Sequence, residues 1–315
     1  MERLRTKVAL TSSETAELLS VHPSTVKRWC NDGLLAFDTT EGGHRRIQLD
    51  EAVAFSKRRG IRTVLTPFAP YEPHAWGALS AAQQEGSFRP LHTLVLSWAL
   101  RGDSRRVEQL YTALGRSGEI GFSTFCDEAI RGLMERVGQA WVDGRLRVGD
   151  EHVITQVMID VLLRLRQERL DEAYDPYANG TARVAVVGTL EGNQHHLGSL
   201  CIRLLLERLG WRVHYLGPDV PADDFGLIQK GRAADLMCIS LGPAHSVGDV
   251  ARTVTLLGSM YDRSRPYRLV FGGAPTGSPL EGYLDGPFES VDILDSCAEL
   301  ADKIDAARPE SAEAQ

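Results

Sequence analysis

The chain has 315 residues, 43% of them hydrophobic and 24% charged, with 30 Gly and 14 Pro, a globular balance that excludes a fibrous or largely disordered protein. At roughly 150 residues per domain there is room for about two or three domains. The net charge of -7 is unevenly spread: residues 1–63 carry 11 Lys/Arg against 8 Asp/Glu, and the remainder 24 against 34, a basic head on an acidic body. The five cysteines are scattered with no CxxC pair, which argues against a disulfide framework and a cysteine zinc site. No apolar run approaches the roughly 20 residues of a membrane helix, and MERLRTKVAL lacks a signal-peptide core, so the sequence reads as cytoplasmic.

Residues 1–70 predict short helices and one hairpin. Thr11-Ser12-Ser13-Glu14 is a capping box, and the helix it starts runs through Leu18 and Leu19. After the turn Ser20-Val21-His22, Pro23 opens a second helix. Its period turns Val26 and Trp29 (or Cys30) inward and leaves Ser24, Thr25, Lys27 and Arg28 outside. Glu41-Gly42-Gly43 is a tight turn between Phe37-Asp38-Thr39 and Ile47-Gln48-Leu49, with His44, Arg45 and Arg46 beside its tip. Asp50 is placed to cap a helix ending in Lys57-Arg58-Arg59. A helix fits the major groove, small hydroxyl residues allow close approach, and Arg and Lys neutralise phosphates. These residues therefore form a candidate DNA-binding surface.

Residues 61–74 hold three prolines and no helical period, and read as a linker. Residues 74–178 predict a helical bundle, with helices at 75–86, 90–101, 103–115, 121–143 and 148–173. In the last, Val153, Val157, Val161 and Leu165, with Ile154, Met158 and Leu162, make a wide apolar stripe. Asp150 is a natural N-cap, which sets Glu151 and His152 in the first turn, near Trp141 at the end of the preceding helix. Taken singly, Glu151 suits a helix start and Trp141 a bundle end.

Residues 182–307 alternate strand and helix, with strands at 182–189, 211–217, 235–241, 267–273 and 289–295. Helices at 197–209, 221–232 and 246–260 and a final helix complete an α/β, Rossmann-like domain with a parallel sheet. Ligands of such folds bind at the carboxyl ends of the strands. There the first loop reads Leu190-Glu191-Gly192-Asn193-Gln194-His195-His196-Leu197-Gly198, which is not the GxGxxG of a dinucleotide site. A loop imidazole is a Lewis base, and no chelating set surrounds His195, so a metal there would arrive in a macrocycle that supplies its other ligands. Asn193 is placed to receive the second imidazole N–H of His195, and Gly198 allows a planar ligand to approach the backbone. Residues 308–315 form a polar tail, expected to be disordered.

Two resemblances organise these segments. Val21 through Trp29, with Gly42-Gly43-His44-Arg45-Arg46, resembles the winged helix-turn-helix head of MerR-type regulators. Asn193, His195 and Gly198 fall on the D/E-x-H-x-x-G signature of cobalamin-binding domains, and Ser240 and Gly272-Gly273 on positions that in that family house the displaced nucleotide tail. Trp141, nine residues, then Glu151-His152 resembles the helical cap over the upper corrin face. In this order the three segments resemble the CarH/LitR family of light-responsive repressors. The resemblance implies adenosylcobalamin with His195 as lower cobalt ligand, Trp141 packed on the adenosyl side, and Glu151 and His152 lining the pocket. It implies a dark homotetramer that grips operator DNA and falls apart when light breaks the cobalt–carbon bond, and no enzyme activity.

Two residues depart from that pattern: Asn193 replaces the acidic residue, and Val142 follows the cap Trp where some members carry a cobalt-ligating His. A regulator of the same scaffold sensing another ligand, and a corrinoid carrier of methyl transfer, stand as alternatives. The basic wing counts against the carrier.

Overall fold

The computed structural model describes residues 8–171, 183–273 and 284–306. The expected tail at 308–315, the last residues of the helix predicted to 173, and the first residue of the strand predicted from 182 lie outside them. The chain divides into two compact units, Met1–Glu119 and Ile120–Gln315.

The first unit begins with β1 (Ala9–Leu10), α1 (Ser12–Leu18), α2 (Pro23–Asn31), β2 (Asp38–Thr39), β3 (Arg45–Gln48) and α3 (Leu49–Arg59). The predicted capping box is present: the Thr11 hydroxyl accepts the Glu14 N–H at 3.1 Å, and the Glu14 carboxylate accepts the Thr11 N–H at 2.6 Å. Val26 and Cys30 are the buried residues of α2, while Trp29 is half-buried against Phe55. The hairpin strand starts earlier than expected, since Arg45 and Arg46 pair with Thr39 and Asp38 inside the ladder. α3 starts with Leu49, so Asp50 lies in its first turn and not at its cap.

The segment expected to be a free linker is packed. Leu65 and Phe68 are buried around a short 3-10 turn (Thr66–Phe68), and Phe68 stacks on Trp98 with ring centroids 6.0 Å apart. The prolines remove the helical period without removing the apolar anchors. Beyond it run α4 (Glu72–Gln84), α5 (Arg89–Ala99) and α6 (Ser104–Arg116), with Leu91, Val95, Leu110 and Leu114 fully buried.

The second unit opens with α7 (Phe122–Thr124), a π-helix (Phe125–Arg131) and α8 (Gly132–Val142), which together occupy the single helix expected at 121–143. In α9 (Val148–Asp171) the predicted stripe is buried except for Val153, which is 47% exposed. α9 starts two residues before the expected cap, and the Asp150 carboxylate instead reaches back to accept the Arg147 N–H at 2.9 Å.

The α/β part follows as β4 (Val184–Leu190), α10 (Leu197–Arg208), β5 (Arg212–Val220), α11 (Ala222–Arg232), β6 (Leu236–Ser240), α12 (Val247–Ser259), β7 (Arg268–Gly272), β8 (Ser290–Leu294) and α13 (Cys297–Ala306). All strands are parallel, in the order β5-β4-β6-β7-β8. This is the doubly wound arrangement whose order reverses between β4 and β6. One sheet face packs Val186, Met237, Ile239, Leu269 and Phe271 against Phe225 of α11 and Leu257 of α12. α9 is tied to α10 by Arg166, whose Nε and Nη2 meet the two Glu207 oxygens at 2.6 and 3.0 Å.

The capping box of α12 gives a first prediction. The Ser246 hydroxyl and amide both donate to Asp249 and hold its carboxyl below its ordinary 3.8. A lowered folded pKa stabilises above the ordinary value and is lost as pH falls through the lowered one. Ser246→Ala is expected to cost about 1 kcal/mol at neutral pH, and to flatten the acid-side slope in urea titrations.

Candidate functional site

The loops after β4 and β6 meet at the reversal point, and the second unit opens there into a cavity of about 600 Å³. Its floor is formed by strand ends, with Val187, Gly188, Ile239, Ser240, Val270 and Gly272 among the lining. The β4–α10 loop contributes Gln194, His195, His196 and Gly198, and α9 contributes Glu151, His152, Thr155 and Gln156. Of the residues expected at a ligand site, the structure therefore gathers His195, Gly198, Glu151, His152, Ser240, Gly272 and Gly273 around one space.

Trp141 is not in this lining; it is 51% exposed at the end of α8. Asn193 lies just beneath the loop and is almost fully buried. Its Oδ1 accepts the backbone N–H of His195 at 2.9 Å, not the ring N–H that its spacing suggested. In a tight turn an Asn oxygen lies nearest the backbone two residues on, which explains the difference. Its Nδ2 donates to the Ser240 carbonyl at 3.3 Å, so one amide joins the two loops.

The His195 ring is exposed to the cavity and has no hydrogen-bond partner among the described residues. His196 also lines the cavity; its Nδ1 lies 3.3 Å from the Gln194 carbonyl. On α9 the Glu151 carboxylate meets Thr155 Oγ1 at 2.6 Å and His152 Nδ1 at 2.8 Å, which fixes its direction.

Three features of the site carry no signal in sequence spacing. His245, buried in the β6–α12 loop, accepts the Gly242 N–H at Nδ1 (2.9 Å), so its Nε2 carries the proton and donates to the Glu191 carbonyl at 3.0 Å. Gly242 is required by contact, since a Cβ there would stand 2.8 Å from Asn193 Oδ1. Four cysteines also line the cavity, among them Cys238, whose thiol burial pushes up to about 12.

At the head, Ser24, Lys27, Arg28 and His44 are exposed, while Thr25, Arg45 and Arg46 are half-buried. The His22 ring caps α2, accepting the Ser24 N–H at 3.2 Å. Arg45 is partly committed to structure: its Nη2 donates to Asn31 Oδ1 at 2.7 Å and its guanidinium lies 5.3 Å from the Phe37 ring centroid. It thereby ties the wing to the end of α2.

Comparison with known proteins agrees with this geometry. A helix-turn-helix domain model matches residues 9–55, and B12 binding domain models match residues 94–166 and 183–292. The HTH-type transcriptional repressor CarH of Myxococcus xanthus is 30% identical over 152 residues, 48% of each chain. Dimethylamine corrinoid protein 3 of Methanosarcina acetivorans is 35% identical over 92 residues, 29% of this chain and 43% of that one. The chain thus spans about half the length of the curated relatives it matches. The solved monomethylamine corrinoid protein of Methanosarcina barkeri shares the fold at 16% identity, with a TM-score of 0.52 over 67% of this chain and 94% of that one.

Fold and matches define a helix-turn-helix domain followed by B12-binding domains, a helical one and a Rossmann-like one with a five-stranded parallel sheet. In that order of domains the chain is similar to the Myxococcus repressor over about half its length, which supports a CarH-like reading. Among the described residues no helix is long and apolar enough to cross a membrane.

Proposed function

We propose that the chain is a light-responsive transcriptional repressor that holds adenosylcobalamin in the cavity and operator DNA on the winged head. The observation that carries this reading is that His195 of the β4–α10 loop and Glu151 and His152 of α9 open onto one cavity. The donors fit such a group. His195 offers a ring nitrogen without a protein partner, and among the described residues no cluster of three or more His, Cys, Asp or Glu is arranged to hold a metal ion. A metal at His195 therefore brings its remaining ligands with it. The cavity volume, about 600 Å³, also suits a large organic ligand.

When bound, adenosylcobalamin would supply a cobalt able to accept a nitrogen ligand and a light-sensitive cobalt–carbon bond. His195 would donate its lone pair to that metal, on a loop whose backbone Asn193 holds in place. Glu151, oriented by Thr155 and His152, would line the pocket with His152, and Trp141 would pack on the adenosyl side. Gly198 would let the planar ligand approach the backbone, and Ser240, Gly272 and Gly273 would receive the nucleotide tail. Segments 1–70, 74–178 and 182–307 then act as DNA reader, cap and cofactor domain. A ligand that binds only the assembled state stabilises that state, and loss of its upper group withdraws the stabilisation. The dark, loaded chain is thus the DNA-binding homotetramer, and illumination releases subunits and DNA.

Gel filtration with adenosylcobalamin, in darkness and after illumination, tests this. The expected result is a large dark species that holds DNA and a smaller illuminated one that does not. A loaded chain with identical elution and DNA binding in both conditions overturns the light response. For the head, replacing Lys27 and Arg28 by Ala is expected to weaken binding to any duplex DNA. The log–log salt dependence should fall by about 0.9 for each phosphate left without its cation, measured by fluorescence anisotropy across a salt series.

A further inference from the structure

The loop that carries His195 is held from both strands that flank β4. On the β6 side Asn193 reaches the Ser240 carbonyl, and His245 reaches the Glu191 carbonyl. On the β5 side the contacts come from Asp219. Its carboxylate accepts the Gly192 N–H at Oδ1 (2.7 Å) and a Gln194 Nε2 hydrogen at Oδ2 (2.8 Å). Its own N–H donates to Thr189 Oγ1 at 2.9 Å and to the Asn193 carbonyl at 3.2 Å. One residue thus grips positions 192, 193 and 194, and the next in the chain is His195.

β5 is deformed where it makes these contacts. Its pairing with β4 slips between Val187 and Gly188 and again between Gly188 and Leu190, and each slip puts an extra residue on β5. Such a bulge bends the strand and re-aims a side chain. Asp219 lies in the second slip at φ 60°, a left-handed conformation that Asp adopts more readily than most side chains. Asp219 is exposed, so burial of its side chain does not account for that conformation. What the bend achieves is to bring a carboxylate onto the loop.

We propose that Asp219 is a positioning residue of the site: by fixing the chain on both sides of Asn193 it sets the direction in which the His195 ring meets the cavity. That role rests on the reading of His195 as the cobalt ligand. Asp219 acts as a hydrogen-bond acceptor at a fixed backbone angle, and two substitutions separate the parts. Asp219→Gly suits the positive φ and removes both acceptors. Asp219→Asn also tolerates that φ; its Oδ1 accepts the Gly192 N–H, and its Nδ2 donates to Gln194 once the Gln amide turns over. Because water reaches the carboxylate, the effects belong at the low end of the usual range.

The test uses the purified full-length chain and two readouts: amide hydrogen exchange of residues 190–198 without cofactor, and dark titration with adenosylcobalamin followed by absorbance. Asp219→Gly is expected to speed exchange of the loop about fivefold, as for loss of one hydrogen bond. It should weaken adenosylcobalamin binding about tenfold, and move the spectrum of the bound corrin toward that of a cobalt without a protein imidazole. Asp219→Asn should restore all three. Gln194→Ala, which cuts one of the two carboxylate bonds from an exposed position, should shift each in the same direction by less, and decides where Asp219→Gly folds poorly. Unchanged loop exchange overturns the proposal, as does faster exchange with wild-type affinity and spectrum. A wild-type chain that takes up no corrin overturns the cofactor reading instead, and the role of Asp219 toward a cobalt ligand with it, whatever the exchange shows.

Discussion

His195→Ala is expected to reduce dark affinity for adenosylcobalamin by at least about 10–100-fold, since even partners that only orient a metal-binding His have effects of that size. Any corrin still bound should show the absorption of a cobalt without a protein imidazole. His195 lies two residues past a buried Asn193 that holds its backbone N–H, so the ring direction is set from below while the ring itself stays exposed. Because the Asn193 bond is to the backbone, Ala preserves it. The stability change should stay within about 0.5 kcal/mol, as for other exposed substitutions. His196→Ala is the control: that ring lines the same cavity but is engaged with the Gln194 carbonyl. Titration followed by absorbance separates the two. If the His195 variant binds with unchanged affinity and spectrum while His196→Ala loses both, the ligand is the second imidazole.

Much of the fold could be read from local chemistry. The Thr11–Glu14 box, Pro23 at a helix start and the alternation of apolar strands with helices depend on neighbours in sequence, and each appears where expected. The misreadings occur where distant packing overrides a local cue. Leu65 and Phe68 find a core that their prolines concealed, and Val153 of an otherwise buried stripe faces out. Asp50 and Asp150 are good caps by residue type, yet their helices start earlier. At the site, the spacing of Asn193, His195 and Gly198 marked the loop, and Glu151-His152 marked the helix that shares its cavity. Sequence spacing could not reveal that Asn193 also reaches Ser240 or that His245 bridges two loops. Those relations exist only once the sheet order brings the loop after β4 beside the loop after β6.

The departure of Asn193 from the acidic residue of the cobalamin signature has a physical reason in this chain, and it sets the other large effect. The buried amide serves two partners at once. Its Oδ1 accepts the His195 N–H at 2.9 Å, and its Nδ2 donates to the Ser240 carbonyl at 3.3 Å. Its own carbonyl accepts the Thr189 hydroxyl at 2.5 Å and the Asp219 N–H at 3.2 Å, so the backbone cannot shift to accommodate a change. Asn193→Asp keeps the acceptor but sets a second oxygen against the Ser240 carbonyl in place of a donor. Burial and that repulsion raise the folded pKa of the new carboxyl above its ordinary value of about 3.9. A raised folded pKa favours the protonated form in the native state. The variant should therefore approach wild-type stability below about pH 4 and lose about 1–3 kcal/mol as pH rises through the raised value. Asn193→Leu, which removes donor and acceptor together, should lose about 2–5 kcal/mol with no such pH dependence, because two buried backbone groups are left unpaired. Urea unfolding of both variants across pH 4–8 checks the argument. If the Asp variant follows the wild-type curve throughout, the Nδ2–Ser240 bond is not what selects an amide at this position.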